Sequence, residues 1–516
     1  MLAMEAFTQW KNAQLHLENA AQLFLEASLN LRAGLSLHVI SPNRNSSLEE
    51  LIDKIQSQFT LDHLTETKLA TIRAVVMSMR NISPTFVPIN TLPPEIFSRI
   101  FLLTIASTHL YKKFKRPDPL LAISAVCTRW RQLAIGTRSL WSHIELPTLA
   151  ARKNGVSDQI EATRLWLERS RGAPLYIHVE LGPRFDHRNI SPLLASLQPH
   201  TAYIYSLTFI NTAENIVNAF LESSRNGASG SLKCLAIDDC PSPSYAPGTQ
   251  RSQPTVYPRG LLHLQLWKTR IGFEELATVL SGSQLLQTLR LRSMVITQGK
   301  ITAISLPRLQ LLDVIDLEPR GLFALLLALF PGRLELDFRL TLGQLSHQGL
   351  TNAVVQFCRR ANVISLYISE STSVPSAHVA LLLSSVPLMR VLVLNDLSDY
   401  FPALDSVTAA IHGRHVARCP KLRTLCLVGN EEMSRDAVVR VKRVVEAYRL
   451  GTIILDNCKL AWDIDKDPNY PRDTRKNIKA DFWQCLSKRV KNIITHEFIP
   501  DEDSYIRRLI MESQEA

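Results

Sequence analysis

Apolar residues along this chain follow two different periods, and the change from one to the other divides it. Over residues 5–38, Phe7, Trp10, Leu17, Ala20, Ala21, Phe24, Ala27, Leu31 and Leu35 recur mostly at three- and four-residue spacings, the period of one helical face. The stretch Ser41-Pro-Asn-Arg-Asn-Ser-Ser interrupts that pattern. Ser46 or Ser47 is placed to cap a second helix over about 48–80, with Glu49 and Glu50 in its first turn. That segment carries Leu48, Leu51, Ile52, Ile55 and Phe59, then Leu69, Ile72, Val76 and Met79. Residues 1–82 are therefore expected to form a helical hairpin or coiled coil, closed either within the chain or between copies.

From about residue 170 the apolar pattern changes to repeated triplets of the form Leu-x-x-Leu-x-Leu. Eight copies occur: Ile204/Leu207/Phe209, Leu232/Leu235/Ile237, Leu261/Leu264/Leu266, Leu286/Leu289/Leu291, Leu309/Leu312/Val314, Val363/Leu366/Ile368, Met389/Leu392/Leu394 and Leu422/Leu425/Leu427. Weaker relatives sit at Ile177/Val179, Leu334/Leu336 and Ile453/Leu455. Alternate side chains of a short strand share one face, so each triplet predicts a strand with that face buried. Between the triplets, Ile216–Leu221, Phe273–Leu280, Leu322–Phe330, Ala353–Cys358, Val379–Val386 and Ala437–Tyr448 have helical spacing. One strand and one helix cannot cover their own apolar faces, so the units must stack. An ordinary alternating β/α sheet shares this alternation, but eight matches favour a repeat array over residues 170–460, with parallel strands and outer helices. The Pro-rich stretch from Pro241 to Pro258 reads as a surface insertion, and residues 461–516 as a C-terminal helical cap or tail.

Between the two periods lies a compact motif. Thr91 can cap a helix, Pro93 and Pro94 fit its first turn, and Glu95 favours its N-terminus. Ile96, Ile100 and Leu103 then form an apolar stripe. A second helical stretch follows Asp118-Pro119, with Leu120, Leu121, Ile123, Val126, Cys127, Trp130 and Leu133, and Leu140-Trp141 closes the unit. The series Leu92, Pro93, Glu95, Ile96, Leu120, Leu121, Ile123, Ser124, Val126, Cys127, Trp130, Arg131, Leu133, Ala134, Leu140 and Trp141 resembles the F-box pattern, tightly over residues 89–145. With the flanking helices and the array, the chain resembles fungal F-box-like proteins with leucine-rich repeats. The segment Ser107–Pro117 is longer than the usual connection between the first two F-box helices.

The resemblance implies an α/β protein: a helical N-terminal region, a three-helix F-box, then a leucine-rich-repeat solenoid. It also implies a substrate receptor that binds a Skp-type adaptor and presents a protein target to a cullin-RING ubiquitin ligase. The alternative is a repeat scaffold with no ligase role. Adaptor contact is expected at Leu92, Pro93, Ile96, Ile100, Leu121, Val126 and Trp130, although Trp130 can equally serve the core of the unit. For the substrate, the residues between the buried ones of each triplet should lie on the open face: His263, Gln265 and Trp267; Thr288, Arg290 and Arg292; Leu311, Asp313 and Ile315; Glu335 and Asp337; Ser365, Tyr367 and Ser369. Of these, Trp267, Arg290, Arg292, Asp313, Glu335, Asp337 and Tyr367 are the expected substrate contacts. Trp and Arg are enriched in binding hot spots. They would make the surface switch from basic to acidic along the array.

Composition narrows the classes further. With 46% apolar and 20% charged residues, the 516-residue chain can bury large interiors. The net charge of +11 is dispersed, in short clusters such as Lys112–Arg116 and Arg359–Arg360, so no nucleic-acid partner is expected. The longest apolar run, Leu322–Phe330, is far short of the ~20 residues that span a bilayer, so no membrane partner is expected either. The N-terminus lacks the pattern of a signal peptide, and the eight cysteines form no CxxC pair, which suits reduced thiols in the cytoplasm or nucleus. His412, His415 and Cys419 have a metal-like spacing without a second ligand pair, so no metal or cofactor is expected. No phosphate loop or nucleophile elbow is present, so the chain is not expected to be an enzyme.

Overall fold

The computed structural model describes residues 2–38, positions 67, 70 and 71, and most of 87–496; the gaps fall at 110–118, 147–154, 182–189, 226–231, 241–256, 342–347, 370–375, 396–420, 429–431, 434, 449, 457–458 and 461–471. The chain divides into two compact units, Met1–Pro93 and Pro94–Ala516. In the first, helix α1 runs over Leu2–His38, in line with the three- and four-residue spacing. The rest of the expected hairpin over 48–80 lies outside the described residues save for positions 67, 70 and 71, which are helical. A 3-10 turn over Pro88–Thr91 closes the unit, and there the Thr91 hydroxyl donates to the Pro88 carbonyl at 2.8 Å. Thr91 thus ends a turn rather than capping the helix that follows.

The second unit begins with three short helices, α2 (Pro94–His109), α3 (Pro119–Val126) and α4 (Thr128–Gly136). The core they share is aromatic. Phe97, Phe101 and Ile105 form the buried stripe of α2, joined by Leu120 and Ile123 of α3 and Ala134 of α4. The stripe expected from the sequence, Ile96, Ile100 and Leu103, is the neighbouring face, which is exposed at Ile96 and Leu103 and half-buried at Ile100. Cys127 caps α4, its Sγ accepting the Trp130 N–H at 3.5 Å. Most of the long segment 107–117 lies outside the described residues.

Thirteen parallel strands then form one sheet whose order is the order of the chain. They are β1 (His143–Leu146), β2 (Leu175–Val179), β3 (Ile204–Ile210), β4 (Cys234–Asp238), β5 (His263–Trp267), β6 (Thr288–Arg292) and β7 (Leu311–Val314). They continue with β8 (Leu336–Thr341), β9 (Val363–Ser369), β10 (Val391–Asn395), β11 (Thr424–Val428), β12 (Thr452–Asp456) and β13 (Asn492–His496). All eight triplets lie side by side in it, in register: Leu207 faces Leu235, which faces Leu264, and Leu264 faces Leu289. Parallel neighbours need a crossover, and helices supply many of them. Among these are α5 (Gly155–Ser170), α6 (Ile190–Leu197), α7 (Glu214–Arg225), α8 (Phe273–Ser281) and α9 (Pro319–Ala328). Further on come α10 (Gln348–Arg360), α11 (Ser376–Ser384), α12 (Arg435–Ala447) and α13 (Arg472–Arg489). Their apolar residues, such as Leu167, Val217, Leu276, Leu325, Phe357, Leu382, Val441 and Phe482, join the inward triplet residues in one continuous core.

A recurring backbone device closes five successive strands. Asn211, Asp239, Lys268, Ser293 and Asp316 lie just past the ends of five successive strands, all with φ between 47° and 55°. The N–H of Asn211 donates to the Asp238 carbonyl, that of Asp239 to Trp267, that of Lys268 to Arg292 and that of Ser293 to Ile315, at 2.9–3.1 Å. Each turn therefore hydrogen-bonds sideways to the next strand, and non-glycine residues accept a left-handed conformation to do so.

The sheet extends past both expected ends of the array. At the front, β1 pairs with β2, so the chain enters the sheet at residue 143 directly after α4 and the turn Arg138–Trp141. At the back, the tail is not only helical: α13 leads into β13, which pairs with β12 as the thirteenth strand. One strand differs in placement. β8 starts at Leu336 and buries Leu336, Phe338 and Leu340, while Leu334 is exposed ahead of it.

Candidate protein-interaction surfaces

The three-helix unit separates its apolar residues into two sets. Those facing inward are held by ring packing. The Trp130 ring lies 5.6 Å from Phe97, edge-on, and 5.2 Å from Phe101. Arg129 sits over the Phe97 ring at 5.5 Å, and the Arg131 Nε–H donates to the Ser124 carbonyl at 2.9 Å. Trp141, fully buried, donates its indole N–H to the Ala134 carbonyl at 2.7 Å. Trp166 meets it edge-on at 5.4 Å and Arg169 covers it at 4.3 Å, both from α5, so one residue of the motif ties the helices to the start of the sheet.

The second set faces outward. Ile96 and Leu103 on α2, Leu121 and Val126 on α3 and Ile135 on α4 are exposed, Leu121 and Val126 by 57% and 56%. Of the residues expected from the sequence to touch an adaptor, Ile96, Leu121 and Val126 are exposed in this unit and Ile100 is half-buried. Trp130 is half-buried and packs against the aromatic core, its alternative role. Leu92 and Pro93 belong to the first unit, half-buried and exposed respectively.

The sheet face opposite the helices changes character along the array. On β2–β6 its residues are mostly polar or aromatic and half-exposed, among them Tyr176, His178, Thr208, Cys234, Asp238, His263, Gln265, Trp267, Thr288, Arg290 and Arg292, with Ile210 and Ala236 as apolar exceptions. Trp267 lies between Lys268, at 5.8 Å, and Arg292, at 6.0 Å. Burial pushes the Asp238 carboxyl above the usual carboxylate range, with Asp239 adding to the shift and Lys268 opposing it. From β7 onward the same face is largely closed. Asp313 is 0% exposed and Tyr367 4%, and Val391, Val393, Cys426, Val428 and Ile454 form a second apolar cluster with Tyr367. One row across the sheet shows the change: Gln265, Arg290, Asp313, Arg339, Tyr367, Val393, Cys426, Ile454 and Ile494 are successive register partners.

Several expected substrate contacts therefore need correcting. Asp313 and Tyr367 are not surface groups. The Arg292 Nε–H and an Nη2–H both donate to one oxygen of Asp313, at 3.0 and 2.7 Å, and the other oxygen is buried without a hydrogen-bond partner. Arg339, almost wholly buried, reaches Asp337 at 3.4 Å and lies over the Tyr367 ring at 5.5 Å. Asp337 is half-buried. Glu335 precedes β8 and pairs with Arg390 at 3.3 Å in the open. The expected basic-to-acidic switch is thus an internal ion-pair zone, because Arg292 and Arg339 interleave with the two aspartates. Trp267, Arg290 and Arg292 remain together on the half-exposed part of the face.

Sequence reasoning did not find a groove of about 800 Å³ on the helical side, lined by Phe273, Ile296, Gly299, Ile301, Gly321 and Phe323. Among the described residues no group of His, Cys, Asp and Glu has the arrangement of a metal site, and no helix is long and apolar enough to cross a membrane. His412, His415 and Cys419 lie outside the described residues, as does most of the Pro-rich insertion. Burial holds the Cys240 and Cys358 thiols at about 12.

No curated protein matches the chain. A family model does match part of it, covering the three helices, the turn that carries Trp141 and the strand β1. Residues 89–147 are an F-box-like domain.

Proposed function

We propose that this chain is the substrate receptor of a cullin-RING ubiquitin ligase, bound to a Skp-type adaptor through residues 89–147. F-box domains generally bind such adaptors, and the observation that carries the reading is the F-box-like match over helices that leave Ile96, Leu121 and Val126 exposed. The chain itself then performs no catalysis and works in the cytoplasm or nucleus. The sheet is read as a leucine-rich-repeat solenoid. In support of that reading, thirteen parallel strands follow chain order and five of them end in the same left-handed turn. A protein target then docks on the half-exposed face of β2–β6, where Trp267, Arg290 and Arg292 meet.

Two pull-downs test this. Wild-type chain expressed with a Skp-type adaptor and cullin should recover both, and Leu121→Asp with Val126→Asp should lose both while keeping its circular dichroism spectrum. Recovery undiminished by those substitutions would leave a repeat scaffold without a ligase role. Trp267→Ala with Arg290→Ala should abolish capture of the target and leave adaptor recovery unchanged; unchanged capture would refute this docking face.

A further inference from the structure

Helix α1 is 37 residues long, about 55 Å at 1.5 Å per residue. Every described side chain from Met4 to Ala20 is exposed, including Phe7, Trp10, Leu15 and Leu17. Helices in proteins owe most of their stability to packing of an apolar face, and a helix of this length whose described side chains from Met4 to Ala20 are all exposed calls for a partner.

The sequence of α1 says which partner. Residues Ala3, Trp10, Leu17, Phe24 and Leu31 are spaced by seven, and so are Ala6, Ala13, Ala20, Ala27 and Gly34. The two series are offset by three, so they occupy the a and d positions of an unbroken heptad, the period of a left-handed coiled coil. The series differ in size: the first is large after its opening Ala3, the second uniformly small. The five charged residues, Glu5, Lys11, Glu18, Glu26 and Arg32, all fall at b and c, away from the seam and its e and g flanks.

We infer that a second copy of this chain covers α1, as an antiparallel pair of α1 helices. In a parallel pair equal positions meet, giving Trp10 on Trp10 and Ala13 on Ala13, alternately overfilled and empty. In an antiparallel pair each a position faces a d position, and facing large with small lets layers interdigitate. One register does this along the whole helix: Ala3 opposite Gly34, Trp10 opposite Ala27, Leu17 opposite Ala20, Phe24 opposite Ala13 and Leu31 opposite Ala6. The arrangement is self-complementary, as a two-fold interface must be, since every layer occurs twice. The absence of charge at e and g removes repulsion between identical helices. Two copies bring four large aromatics to the seam, each able to bury about 150–250 Å². With the leucines added, this reaches the roughly 1,200–2,000 Å² of a stable interface. A ligase receptor paired in this way carries two F-box-like domains per assembly.

The test is sedimentation velocity on the full chain at micromolar concentration, with cysteine cross-linking. Wild type should be a dimer, and Leu17→Glu should raise the dimer dissociation constant at least 100-fold while adaptor recovery is unchanged. Mixed Ala6→Cys and Leu31→Cys chains should form a disulfide between positions 6 and 31, identified in the joined peptide. A monomeric wild type, with the stripe covered inside one chain, would overturn the inference. So would a dimer indifferent to Leu17→Glu, or cross-links joining like positions.

Discussion

The ion pair buried beneath the transition of the open sheet face offers a quantitative test of the packing account. Asp313 has no exposed surface, and Arg292, 18% exposed, supplies both hydrogen bonds to one of its oxygens while the other stays unsatisfied. Arg292→Met leaves the buried Asp313 carboxylate without those two hydrogen bonds, in a row whose register neighbours are Arg290 and Arg339. Removing one partner of a buried pair costs about 3–5 kcal/mol, whereas replacing both by apolar residues is often neutral. Arg292→Met should therefore lower stability by about 3–5 kcal/mol, and Arg292→Met with Asp313→Leu should recover most of it. The coupling from a double-mutant cycle, read by urea denaturation followed by circular dichroism, should exceed about 2 kcal/mol. Additive losses, or a double variant weaker than Arg292→Met alone, would refute the view that Asp313 is held by Arg292 rather than offered to a target.

Other perturbations separate packing from docking. Trp130→Ala should cost about 3–5 kcal/mol in a thermal or urea melt, because the ring fills the space between Phe97 and Phe101, while Leu121→Ala should change stability by no more than about 0.5 kcal/mol; equal losses would contradict the division into core and surface. Gly332→Ala would drive a Cβ into the Pro307 carbonyl, so it should destabilise by about 1–3 kcal/mol or more, and an unchanged melting temperature would show that this approach is not close. Cys240 and Cys358, with thiols raised to about 12 by burial, should resist alkylation of the native chain at pH 8 as followed by mass spectrometry. Their protection also fixes a sign: the unfolded thiols ionise first as pH rises past about 9, so the stability they contribute is present below that pH and is lost between about 9 and 12.

The triplets carried most of the fold because a strand of a parallel sheet covered by helices must bury alternate residues, and Leu-x-x-Leu-x-Leu states that requirement directly. What they could not carry was the state of the other face. In Thr288-Leu-Arg-Leu-Arg the intervening residues are polar and the face is half-exposed; in Val391-Leu-Val-Leu they are apolar, and both faces are buried. A continuous apolar run is the signature of a strand covered on both sides, so the closing of the face at β10 was written in the chain. Asp313 is different. An aspartate between Leu312 and Val314 reads as outward, and only the fold that sets it beside Arg339 and against Arg292 makes it internal. The same one-residue ambiguity affected α2, where Ile96-Phe97 and Ile100-Phe101 offer two adjacent stripes, and the larger aromatic one took the core. The strand β13 was missed because Asn492-Ile-Ile-Thr-His, at five residues with one apolar pair, has too short a pattern to register as a repeat.

The central claim is that residues 89–147 present an apolar surface to a Skp-type adaptor, and a calorimetric titration of purified adaptor into the full chain tests it most directly. Ile96, Leu121 and Val126 each keep about half their surface to bury, worth roughly 0.8–1.5 kcal/mol apiece from the transfer energy of a fully buried aliphatic side chain. The account predicts saturable one-to-one binding of wild type per F-box-like domain. It also predicts that changing all three residues to alanine weakens binding by about 50- to 2,000-fold with an unaltered melting temperature. No heat of binding to the wild-type chain, or equal affinity for the triple variant, would contradict it.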